Sequence, residues 1–196
     1  METISKQKAI QILIQKNISL LDVNTARKIF SFRNENSLYK FLQRLEGADI
    51  LKRVAKGKYL FSLKETNDYE LANFLFTPSY ISLESALSFY GILAQFPYTI
   101  TSVTPAKSKK IVYNEKEFEF AHLKREYFFG FVKKDNFLIA LPEKALLDEF
   151  YFISKGLTSV SLDELNLSLI NKNKLKKMIR YYKFLPLKNL VEKYVK

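Results

Sequence analysis

Residues 36–61 read NSLYKFLQRLEGADILKRVAKGKYLF, and this stretch decides the fold of the N-terminal part of the chain. Leu38, Phe41, Leu42 and Leu45 recur at i, i+3, i+4 and i+7, the spacing that lines one buried stripe of an α-helix. Asn36, Ser37, Tyr39, Lys40, Gln43 and Arg44 are then left on the outer face, where such side chains can meet phosphates and base edges. Gly47 is the expected helix stop. Beyond it, two short apolar strands, 51–54 and 59–61, flank a tight turn at Gly57 bordered by Lys56 and Lys58. Arg53, Lys56 and Lys58 would contact phosphates from this basic hairpin. A helix with a polar reading face followed by a basic hairpin predicts a winged helix-turn-helix.

The preceding residues supply the other helices of that architecture. Ile4, Ala9, Ile10, Leu13 and Ile14 form a helical stripe over 2–16, with Asn17 as the stop. Asp22 or Asn24 can cap a second helix carrying Ala26, Ile29 and Phe30, and residues 31–35 make the turn into the third.

Charge and composition narrow the partners. The 196 residues carry a net charge of +12, unevenly placed: residues 1–64 hold net +8, 65–171 net −4 and 172–196 net +8. A basic head points to a polyanion, and a basic tail to a second charged surface. The absence of cysteine excludes disulfides, cysteine zinc sites and a cysteine nucleophile, and one histidine, His122, excludes the usual histidine metal clusters. The polar N-terminus and the lack of a long apolar run predict a protein without a signal peptide or membrane span, located in the cytoplasm.

Around residues 62–68 the charge balance changes sign, so the sequence divides into 1–64, the DNA-binding domain, and 65–196, a mixed α/β domain. In the second, helices are expected over 69–76 and 82–93, with Ser82 and Ser85 as caps and Gly91 near the end. Five β-like runs follow, over 101–104, 110–113, 118–123, 128–132 and 137–141, and read as a small sheet. Pro142 opens a strong helix over 143–153, and helices over 163–170, 174–182 and 187–195 give a helical C-terminal end. The fold class is therefore α+β: an N-terminal winged helix and a mixed second domain.

Catalytic motifs are scarce. No phosphate-binding glycine loop, dinucleotide fingerprint or nucleophile elbow is present, and no cofactor is expected. His122 reads as a structural histidine, and Glu143, Asp148 and Glu149 as helix-dipole complement rather than a hydrolytic pair. The segment 172–183 is an amphipathic basic helix with Leu175, Met178, Ile179 and Tyr182 on one side. A solvated outer face, nucleic acid, an RNA-bound partner and an acidic partner protein all remain compatible with it.

Three stretches together suggest a family: LEGADILKRVAKGKY over 45–59, ISLESALSFYG over 81–91 and ALPEKALLD over 140–148. In their order and spacing the chain resembles the AbiEi antitoxins, the antitoxin half of AbiE-type toxin–antitoxin systems linked to phage defence. The resemblance implies a winged helix that binds repeats in its own promoter and represses the operon. On a repeated operator, a winged helix often binds as two copies through matched symmetry of protein and site, which makes a homodimer on the DNA an expectation. It also implies a second domain that counteracts a nucleotidyltransferase-like toxin without a stable complex. No catalytic role transfers, so the chain is expected not to be an enzyme. The resemblance places Ser82, Glu84, Ser85, Tyr90, Glu143, Lys144 and Asp148 in the motif positions of the antitoxin domain. The competing reading is a plain winged-helix regulator whose second domain dimerises or senses a ligand.

Overall fold

Helix α1 (Lys6–Gln15) opens with Ser5, whose hydroxyl accepts from the Lys8 amide at 3.2 Å, and ends at Asn17, which takes the left-handed conformation with φ +54°. In the computed structural model, which describes residues 4–158 and 161–195, the following apolar segment pairs as a short strand, β1 (Leu20–Asp22). Of the two caps the sequence offered for α2 (Val23–Ile29), the chain uses Asp22, which accepts from the Thr25 amide at 2.6 Å. Asn34 caps α3 (Glu35–Glu46) by accepting from the Ser37 amide at 3.0 Å. Gly47 follows α3 with an ordinary right-handed φ of −66°, and the left-handed turn falls at Asp49 instead. The hairpin β2 (Leu51–Ala55) and β3 (Lys58–Phe61) turns through Lys56 and Gly57, where φ of +70° requires glycine. β1 joins the outer side of β3, so the antiparallel sheet has the order β1-β3-β2.

The stripe read from the sequence is the core of this region: Leu38, Phe41, Leu42 and Leu45 are buried with Leu13, Leu21, Ala26, Phe30, Leu51 and Phe61. Phe41 meets Phe30 edge to face, with ring centroids 4.9 Å apart. Helix α4 (Asp68–Leu75) completes the unit, which runs over Met1–Leu75 rather than ending at 64. The reason is chemical as well as apolar: Leu71, Ala72 and Leu75 are buried, and the Glu70 carboxylate accepts from the Ser19 hydroxyl at 3.2 Å. The sign change in charge at 62–68 marks a loop, and the boundary lies one helix later.

The second unit, Phe76–Lys196, holds a six-stranded mixed sheet. Its strands are β4 (Tyr80–Ile81), β5 (Ile100–Thr104), β6 (Lys109–Tyr113), β7 (Lys116–His122), β8 (Phe131–Lys134) and β9 (Phe137–Ala140), in the order β6-β7-β5-β4-β9-β8. The pairs β4·β9 and β5·β7 are parallel and the remaining pairs antiparallel. Helix α5 (Leu83–Phe89) lies between β4 and β5 in sequence, and α6 (Pro142–Ile153) follows β9 directly. α6 packs against α5, β9, α7 (Lys172–Ile179) and α8 (Leu185–Tyr194), which buries every residue from Glu143 to Phe152. A helix covered on all sides normally carries no charge, yet this one carries four charged residues. The helix expected over 163–170 is replaced by two short 3₁₀ turns. There Leu165 bridges to Leu93, the Asn166 amide donates to the Ile92 carbonyl at 2.7 Å, and the Asn166 side chain accepts from Ser168, so tertiary and local bonds displace the helical ladder. Among the described residues the fold is thus α+β, with eight α-helices and two sheets.

Candidate nucleic-acid interface and a buried polar network

In the first unit, burial of the apolar stripe turns the opposite face of α3 outward. Asn36, Tyr39, Lys40 and Gln43 are exposed there, and Arg53 and Lys56 are exposed on the hairpin. Among the described residues, the side chains of Asn36, Lys40, Gln43, Arg53 and Lys56 make no hydrogen bond or ion pair with the chain, so their donors and acceptors stay available. Three other residues of the expected reading set are committed inside the unit. Ser37 is half-buried and its hydroxyl donates to the Asn34 side chain at 3.4 Å, which makes it part of the α3 cap. The Arg44 guanidinium donates to the Ile4 carbonyl at 2.5 Å and lies 5.4 Å from the centre of the Phe41 ring, so it fastens the chain before α1 to α3. The Lys58 ammonium donates to the carbonyls of Phe74 and Leu75, at 2.6 and 3.1 Å, and caps the C-terminal end of α4. Lys58 therefore does not sit at the hairpin tip as a free cation, a correction that follows from the unforeseen docking of α4.

The second unit gathers the motif residues around α6. Asp148 and Lys144, four residues apart on that helix, form a fully buried ion pair. The Lys144 ammonium also donates to the Tyr182 hydroxyl at 2.9 Å. Tyr80 and Ser82 donate to the second carboxylate oxygen of Asp148, at 3.0 and 2.8 Å, and Tyr182 donates to the first at 3.3 Å. The ring centres of Phe129, Tyr182 and Tyr80 lie 5.3, 5.6 and 5.7 Å from the ammonium, a cage that returns part of the lost hydration as cation–π attraction. Gly130, at φ +73°, rests on the aliphatic stem of Lys144, where an added Cβ would come within 3.1 Å of Cγ.

Burial lowers the pKa of Lys144, and Asp148 beside it opposes that shift. The hydroxyls of Tyr80 and Tyr182 are pushed well above the usual tyrosine range, by burial first and then by the Asp148 charge. Both tyrosines thus remain protonated donors. Lys144, Tyr182, Tyr80 and Ser82, the four donors to the Asp148 carboxylate, are all buried, so the network ties α6 to β4, to the start of α5 and to the segment between α7 and α8.

The other motif residues surround this centre. Ser82 starts α5 by position, but its hydroxyl is spent on Asp148 and makes no cap bond. Ser85 does not cap either: its hydroxyl accepts from the Thr101 amide at 2.8 Å and its amide donates to the Thr101 hydroxyl at 3.1 Å, pinning α5 to β5. Tyr90 donates to the Ala140 carbonyl at 3.0 Å, which ties the end of 81–91 to the start of 140–148. Glu143 accepts from the Asn171 amide at 3.2 Å, just before α7. The Glu149 carboxyl is pushed up to about 8, chiefly by burial and next by the nearby Glu84 carboxylate, while the Thr158 hydroxyl at 3.2 Å pulls the other way. One oxygen of Glu143 and one of Glu149 have no partner among the described residues.

Tyr80, Phe129, Gly130 and the polar role of Tyr182 escaped the sequence reading. Tyr182 belongs by spacing to an apolar face, and nothing in the local pattern marks it as a partner for residues 34 and 38 positions earlier. His122 is exposed at the end of β7, with its Nδ1 2.8 Å from the Ala106 carbonyl. Among the described residues no cluster of three or more histidine, cysteine or acidic side chains is placed to hold a metal ion, and no helix is long and apolar enough to cross a membrane. No family model matches the chain, and no curated protein matches it.

Proposed function

We propose that the chain is a DNA-binding antitoxin of the AbiEi kind, whose N-terminal unit is a winged helix acting on its own promoter. The observation that carries the DNA-binding half is the uncommitted polar face of α3 in the same small unit as a basic hairpin. The order helix, strand, helix, helix, hairpin and the pairing β1-β3-β2 support the winged-helix reading. In this reading Asn36, Tyr39, Lys40 and Gln43 enter the major groove, while Arg53 and Lys56 neutralise phosphates. Two copies bind a repeated operator, matching the symmetry of protein and site.

The antitoxin half is carried by the resemblance of 81–91 and 140–148. The direct bonds between those two stretches, Ser82 to Asp148 and Tyr90 to Ala140, support their being one functional body. The same bonds favour the second reading, a plain winged-helix regulator, because they explain the motif residues through packing alone. One experiment separates the two. The full chain and a Lys40→Ala/Gln43→Ala/Lys56→Ala variant are co-expressed with the product of the adjacent gene, which the antitoxin reading expects to be a nucleotidyltransferase-like toxin, while promoter binding is followed by fluorescence anisotropy. The antitoxin reading expects both proteins to restore growth and only the unmutated chain to bind the promoter. Failure of the unmutated chain to restore growth leaves the plain regulator. Equal promoter affinity of the two proteins removes the α3 face as the reading surface.

A further inference from the structure

Helices α7 and α8 both pack on α6, and a groove of about 260 Å³ lies between them. Its floor is apolar: Leu175 and Ile179 from α7, Val191 from α8 and Val195 just after it, with Ile179 half-buried and the other three buried. Its rim carries Lys172, Lys176 and Arg180, one helical turn apart along α7, facing Lys188 on α8, with Glu192 as the single carboxylate. Among the described residues, Lys176, Arg180 and Lys188 make no ion pair or hydrogen bond through their side chains.

Helix stability does not explain this arrangement. α7 has no acidic residue in its first turn and carries Lys172 and Lys174 there, where the helix dipole disfavours cations. A stability-optimised helix would place Asp or Glu at those positions. Nor does nucleic acid explain the floor, because phosphates need the cations and gain nothing from an apolar strip. A cationic rim over an aliphatic floor between two helices is the complement of an amphipathic helix with leucine-type anchors and glutamate or aspartate flanks.

We propose that the α7–α8 groove is a docking site for an acidic amphipathic helix of a partner protein. The proposal does not rest on the DNA-reading face of the first unit. The test uses the full-length chain and a fluorescein-labelled synthetic peptide with leucines at i, i+3, i+4 and i+7 and glutamates elsewhere, against a shuffled peptide of the same composition. Binding is read by anisotropy at low and high salt, and folding by thermal unfolding. The amphipathic peptide is expected to bind at least about tenfold more tightly than the shuffled one, with affinity falling as salt rises. Lys176→Glu/Arg180→Glu, at two exposed positions, is expected to lower that affinity at least about tenfold without lowering the unfolding temperature.

A second variant, Ile179→Ser, removes a half-buried floor residue and separates partner classes. It is expected to weaken the peptide while leaving any binding of single-stranded RNA or phosphatidylserine vesicles unchanged. Equal binding of the two peptides overturns the proposal, as does peptide affinity unaffected by Ile179→Ser, which would make the surface a polyanion site. Should Ile179→Ser fail to fold, the comparison of shuffled and amphipathic peptides decides alone.

Discussion

Asp148 is held by four donors, Lys144, Tyr182, Tyr80 and Ser82, and this saturation sets what its removal would do. Asp148→Ala strands the Lys144 ammonium in a dry interior, a change worth about 3–5 kcal/mol. The paired replacement Lys144→Met/Asp148→Leu removes both charges and is expected to cost far less than the single change. Urea denaturation of both variants checks this, and a double variant as unstable as Asp148→Ala would refute the keystone role of the pair. Glu149 gives a second prediction, with a definite sign. Its carboxyl titrates near 8 in the folded chain against 4.5 ordinarily, so between those values the folded state holds the extra proton. Stability is therefore fully present at acid pH and declines as pH rises through that window, by at most about 1.4 kcal/mol per pH unit. Glu149→Gln, which cannot ionise, should flatten the profile from pH 5 to 8 in pH-dependent thermal unfolding. Ser82, Lys144 and Asp148 stood out in the sequence as motif residues, but their chemistry did not. A buried lysine looks like a surface lysine until the aromatic residues that enclose it, distant in sequence, are in place.

At the scale of elements, regular periodicity was legible and context was not. The stripe Leu38, Phe41, Leu42 and Leu45 located α3, and the Gly57 turn located the β2–β3 hairpin, because each pattern has one low-energy solution. The polar residues on those elements were less legible, since a cation's exposure depends on which neighbours come near it. Lys56 and Lys58 look equivalent around Gly57, but Lys58 caps α4. Lys56→Ala is expected to lower the salt slope of promoter binding by about one and leave stability unchanged. Lys58→Ala should leave the slope alone and destabilise the first unit, because two carbonyls at the end of α4 lose their donor. Anisotropy titrations over a salt series, paired with thermal melts, distinguish these outcomes. The helix expected over 163–170 failed for a related reason: the Asn166 side chain accepts from the Ser168 amide and the Asn166 amide donates to Ile92, bonds that compete with a helical ladder.

For the molecule as a whole, the charge profile located two basic ends and a change of character near residue 65, and the structure moves the division to Leu75. Composition records where solvent-facing residues change, whereas a folding unit ends where its buried contacts end. A fragment of residues 1–64 lacks the buried Leu71, Ala72 and Leu75 and the acceptors of Lys58. It is expected to melt at lower temperature and less cooperatively than a fragment of residues 1–75, as followed by circular dichroism. The ordering of the second unit along the chain has a consequence of its own. Tyr80 and Ser82, near its beginning, and Tyr182, near its end, meet on the same buried carboxylate. During synthesis the Lys144–Asp148 pair must wait unfinished until residue 182 has left the ribosome. A chain stopped before residue 182 would leave Asp148 short of one of its four donors and the Lys144 ammonium short of one ring of its aromatic cage, so the second unit would stay more open to proteolysis until Tyr182 is in place.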